Sequence, residues 1–80
     1  MPFYFFDWTP EILEHLAEHD VTADEFEEVV SYPDRQTTSR STGDPIAFGW
    51  TSTGRYLCCV YRLDEDGMNI EPVTAYEIGA

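Results

Sequence analysis

Residues 54–78, GRYLCCVYRLDEDGMNIEPVTAYEI, constrain this chain more than any other stretch. Arg55 to Leu63 and Met68 to Tyr76 each run through aromatic, aliphatic and thiol side chains, with the acidic turn Asp64-Glu65-Asp66-Gly67 between them. That pattern predicts a β-hairpin. Successive strand side chains alternate sides, so in the first arm Leu57, Cys59, Tyr61 and Leu63 share one face and Tyr56, Cys58, Val60 and Arg62 the other. Both faces carry apolar surface to bury, which predicts a central strand and leaves the preceding residues to cover the sheet.

Those residues supply two helices and more strands. Pro2 to Phe6 reads as a short first strand or an extended arm over the core, and strand is the reading taken here. At Trp8-Thr9-Pro10, Thr9 suits the N-cap, Pro10 the first helical position, and Trp8 and Leu13 are spaced to staple across the entry. Ile12, Leu13, Leu16 and Ala17 form the predicted apolar stripe, Glu11, Glu14 and Glu18 the wet face, and the helix stops near His19-Asp20. A second helix starts at Ala23: Thr22 and Glu25 make a capping box and Val21 can staple to Phe26. Phe26, Val29 and Val30 face inward, Glu27 and Glu28 outward, and Tyr32-Pro33-Asp34 ends it.

Arg35 to Ser41 is polar and predicts an edge strand, Thr42-Gly43-Asp44-Pro45 a turn, and Ile46 to Thr51 a further strand. Residues 1–80 thus read as one small α+β domain, β-α-α-β-β-β-β, with two helices on one face of a four- to five-stranded antiparallel sheet. Twelve aromatics and 42% hydrophobic residues fit a folded globule, not a disordered acidic tail.

Charge narrows the partners. Sixteen acids oppose four arginines, with no lysine, for a net charge of −12, which should repel nucleic acid at long range and favour a basic protein. Residues 7–28 hold nine acids and no arginine, while Arg35, Arg40, Arg55 and Arg62 all lie within residues 29–62 beside Asp34 and Asp44. The adjacent Cys58 and Cys59 point to opposite faces of a strand and are poorly placed to bridge, so reduced thiols and a cytoplasmic address are expected. The opening MPFYFFDW is too short, and too soon interrupted by Asp7, for a signal peptide or membrane span.

Three groupings bear on chemistry. His15 and His19 stand four apart beside Glu14 and Glu18, but two ligands are too few for a metal centre, so no metal or cofactor is expected. The cysteine pair lacks C-x-x-C spacing and is read as core packing. Arg35, Arg40, Arg55 and Arg62, with Tyr56, Tyr61 and Tyr76, could gather on the open sheet face to hold a phosphodiester and stack a base, or each arginine could pair with one of the many carboxylates.

The succession FDWTPEILEHLAEHDVTADEFEEVV, YPDR, FGWTSTGRYLCCVYR and IEPVTAYE resembles the BrnT-like toxins of the RelE superfamily and related short bacterial domains, over residues 6–78. The resemblance implies a RelE-like fold, a toxin-antitoxin-type setting with a cognate antitoxin as partner, and metal-independent cleavage of mRNA. It also implies that Arg55 and Arg62 steady the phosphate, with Tyr76 and His19 as proton-transfer groups, while Arg35, Arg40, Tyr56 and Tyr61 of the arginine and tyrosine cluster are read as contacting RNA or a partner. Tyr76 stands where that family usually has arginine, and its toxins are basic. The expectation is therefore a toxin-type scaffold whose ribonuclease activity is weak or lost, or a non-catalytic acidic interaction module on that scaffold. Acidity of this order also suits a protein of a high-salt cell.

Overall fold

A computed structural model describes residues 4–78. The helices begin and end where local chemistry dictates. Helix α1 spans Pro10–Glu18, with the Thr9 side chain accepting from the Ile12 amide and Pro at the first turn. It ends in a reversed turn: the Asp20 amide donates to the Ala17 carbonyl and the Val21 amide to that of Leu16, with Asp20 at φ 60°, where glycine is usual. Helix α2 spans Ala23–Ser31, and both bonds of the Thr22–Glu25 capping box are present.

Five strands follow the expected chain order: β1 (Phe5–Phe6), then after the helices β2 (Arg35–Thr38), β3 (Pro45–Trp50), β4 (Tyr56–Leu63) and β5 (Asn69–Glu77). Their spatial order is β1-β5-β4-β3-β2, so β4 is central as its two apolar faces required. The β2-β3-β4-β5 pairings are antiparallel, and β1 joins β5 in parallel, which makes the sheet mixed. The reading of Pro2 and Phe3 as strand lies outside the described residues. Asp64 and Asn69 close the hairpin through a 2.6 Å side-chain bond, and Gly67, at φ 71°, supplies the left-handed turn residue.

The core is one cluster. Leu16, Val21, Phe26, Val29 and Val30 pack against Ala47, Leu57, Cys59, Tyr61, Ile70 and Ala75. Burying each large member contributes about 1.5–3 kcal/mol before the cost of ordering the chain. Helix α2 lies against β3 and β4 and α1 against β5. A Cβ at Gly49 would come within 3.3 Å of Val29, so glycine there permits the close approach of α2 to β3.

Several facings differ from expectation. On α1 the stripe is turned: Leu13 and Ala17 are exposed, and half-buried His15 instead faces β5, bonding the Thr74 hydroxyl at 2.9 Å. Trp8 packs edge-on against Phe26, with centroids 5.4 Å apart, so its staple is to α2. Glu27 and Glu28 are half-buried, not turned to water: Glu27 accepts from the Trp8 indole at 2.7 Å and Glu28 from the Ser52 amide at 2.9 Å. Leu63, expected on the core face, is exposed near the hairpin tip.

Candidate functional site

The register sorts the arginines and tyrosines onto opposite sides of the sheet. Tyr61 belongs to the helix side and is buried in the core cluster, near Tyr4 and hydrogen-bonded by Gln36, which corrects its reading as a contact residue. Arg55 also turns to the helices. Its Nη1 donates to Glu25 at 3.0 Å and to the Asp20 carbonyl at 2.5 Å, and its Nε to Glu77 at 3.3 Å. One guanidinium thereby joins the α1–α2 turn, the first turn of α2 and the end of β5.

Around Arg55 the turn between β3 and β4 is held in place by hydroxyls and acids. The buried Thr51 hydroxyl accepts from the Arg55 amide at 3.1 Å and bonds that of Thr53 at 2.7 Å, while Thr53 donates to Glu25 at 3.0 Å. Burial alone would raise the Glu25 pKa, but the Thr22 amide, the Thr53 hydroxyl and Arg55 outweigh it and hold the carboxyl below its ordinary range. These contacts knit α2 to the sheet. They leave Arg55 bonded through Nη1 and Nε and only 23% exposed in its side chain.

The opposite side is aromatic. Arg35, Phe48, Cys58 and Tyr76 form one cross-strand row from β2 to β5, and Trp50 and Tyr56 a second row beside it. Trp50 and Tyr56 have ring centroids 4.9 Å apart, Phe48 and Tyr56 are stacked at 6.5 Å, and Arg35 lies 4.7 Å above the Phe48 ring. Tyr56 donates to Asp34 at 3.1 Å, and its phenol is pushed up by burial and that carboxylate. The Tyr76 hydroxyl bonds Cys58, which pushes the phenol up as well. Cys58 is buried beneath this layer, and burial raises its thiol; Cys59, in the core, is raised further. Both thiols are free, neutral and covered.

The four residues nominated for catalysis do not converge. Arg55 faces the helices, with exposed His19 on the α1 cap beside Asp20, while Tyr76 and Arg62 lie on the aromatic side. Tyr76 is paired with Cys58, and Arg62 lies four residues farther along β4, about 13 Å at the usual strand rise. Arg62 is 59% exposed, with loose contacts to Asp44 at 3.8 Å and Glu71 at 3.9 Å. Arg40 is exposed in the turn after β2. The phenol of Tyr76, the tyrosine nominated for proton transfer, is raised above its ordinary value by its bond to Cys58, the wrong direction for proton transfer near pH 7. His15 and His19 meet edge to face at 5.2 Å, and among the described residues no group of three or more His, Cys, Asp or Glu is placed to hold a metal ion.

Sequence reasoning singled out Tyr56, Tyr76 and Arg35 but missed Trp50 and Phe48. The signal was available: both alternate with core-facing Ala47 and Gly49 along β3. It also missed Glu25 as the partner of Arg55, a contact thirty residues away in the chain that no local spacing encodes. No helix among the described residues is long and apolar enough to cross a membrane. No protein-family model, no curated protein and no solved structure matches this chain.

Proposed function

We propose that this chain is a non-catalytic binding domain that meets a basic protein in the cytoplasm, on a toxin-type scaffold whose ribonuclease activity is lost. The observation that carries this reading is Arg55. The guanidinium that the RelE resemblance assigns to phosphate binding already has three protein partners and stands on the opposite side of the sheet from Tyr76. Moving it to a phosphate would leave Glu25 at the α2 seam without its cationic partner, held by the Thr22 amide and the Thr53 hydroxyl. The net charge of −12 favours encounter with cations and opposes RNA, and the exposed acids Glu11, Glu14, Glu18, Asp20 and Asp24 concentrate that field on the helical half. In a toxin-antitoxin setting the basic partner is the antitoxin.

Induced expression in a bacterial host, with growth and translation followed, tests the reading together with a pull-down across a salt series. Growth should continue, purified protein should leave mRNA intact, and a basic partner should be recovered at low salt and released as salt rises. Cleavage of mRNA that disappears in Arg62→Ala would overturn it, and so would recovery of no basic partner at low salt.

A further inference from the structure

We infer that the aromatic side of the sheet is the docking face, and that its occupant is an arginine- or lysine-bearing segment of a basic protein whose cations stack on Trp50 and Tyr76. The inference rests on the binding-domain reading and adds the surface and the chemistry of the contact. Trp50 is 60% and Tyr76 44% exposed, flanking half-buried Phe48 and Tyr56. Four rings turned outward across three adjacent strands form an exposed surface of the kind that usually marks an interaction site.

The protein itself shows what these rings accept. Arg35 lies over Phe48 at 4.7 Å, a cation–π geometry made within the chain, while the rings of Trp50 and Tyr76 keep exposed surface for the same contact. Carboxylates stand at the margins of this layer: Asp34 beside Tyr56, and Asp44 and Glu71 beside Arg62. Charge decides between occupants. A second copy would bring −12 against −12, and a nucleic acid would meet the same net charge, with Arg35 and Arg62 as the strand arginines on this side to receive its phosphates. A cationic segment is attracted by the net charge at long range and by Asp34, Asp44 and Glu71 at the margins of this face, and then gains desolvated contact on the rings.

The test is a backbone and indole NMR titration at low salt with a ten-residue peptide alternating arginine and valine. The same peptide with glutamate for arginine, and a uridine oligonucleotide, are run beside it. The arginine peptide should shift the Trp50 indole and the amides around Phe48, Tyr56 and Tyr76, leave the Trp8 indole in place, and lose at least ~10-fold in affinity in Trp50→Ser. Tyr76→Ser should weaken it in the same direction, with a dispersed spectrum certifying the fold of each variant. Shifts confined to residues 10–25, with Trp50→Ser binding like the parent, would overturn this face while leaving the binding domain intact. The absence of any shift would likewise overturn the face, the binding-domain reading then standing or falling with the pull-down. Movement of the Trp50 indole by the oligonucleotide and not by the peptide would replace the cationic segment with RNA.

Discussion

On the helix side of the sheet, Arg55 makes charge-assisted bonds to two carboxylates and a carbonyl, while on the other side Arg62 only approaches Asp44 and Glu71 at 3.8 and 3.9 Å. The two arginines are seven residues apart on one arm of one hairpin. On the helix side, polar groups are fixed by packed elements and serve the fold; on the aromatic side, Trp50 and Tyr76 are held by the strands with much of their surface open. An arginine or tyrosine in a strand therefore reveals little about chemistry until the side it faces is known.

The sharpest way to break that contrast is to truncate one large aromatic on each side. Phe26, fully buried beneath Trp8 and Phe6, should cost about 3–5 kcal/mol as Phe26→Ala, enough to unfold much of so small a domain. Trp50→Ala should change unfolding free energy by less than about 0.5 kcal/mol, as expected of an exposed side chain. Urea unfolding of the two variants measures both. Comparable losses would mean that the aromatic side carries stability and that the two sides are alike.

Acid sharpens the same comparison with a smaller effect. Glu25 has a folded pKa below its ordinary 4.5, so its contribution is fully present above that value and is lost as pH falls through the folded one. Unfolding free energy should therefore decline below about pH 4.5, and Glu25→Gln should flatten that decline while lowering stability near neutrality. A parent and variant with parallel acid limbs would contradict the role given to the Glu25 seam.

What was legible in the sequence was local. The capping box at Thr22–Glu25, the Thr9–Pro10 helix entry, the Asp64–Gly67 turn and the strand alternation of residues 56–63 each fit within a few residues, and each is found in place. The facing of α1 was not legible, because stripes through Leu13 or through His15 are both compatible with a helix and only the position of β5 selects one. The Arg55 site was hidden for the same reason: its partners come from Asp20, Glu25 and Glu77, which are brought together by the fold alone. The open aromatic side follows from a limit of size. Two nine-residue helices, each about 13 Å long at the α-helical rise, can cover one face of a five-stranded sheet but not both.

The central claim is that Arg55 holds the fold together and Arg62 does not, and paired urea unfolding of Arg55→Ala and Arg62→Ala tests it most directly. Arg55→Ala takes the cation from Glu25 and the side-chain donor from the Asp20 carbonyl and should lose about 1–2 kcal/mol, whereas Arg62→Ala, an exposed pair, should stay within about 0.5 kcal/mol of the parent. A neutral Arg55→Ala, or losses of equal size in the two variants, would contradict this account and return Arg55 to the list of groups free to act on a substrate.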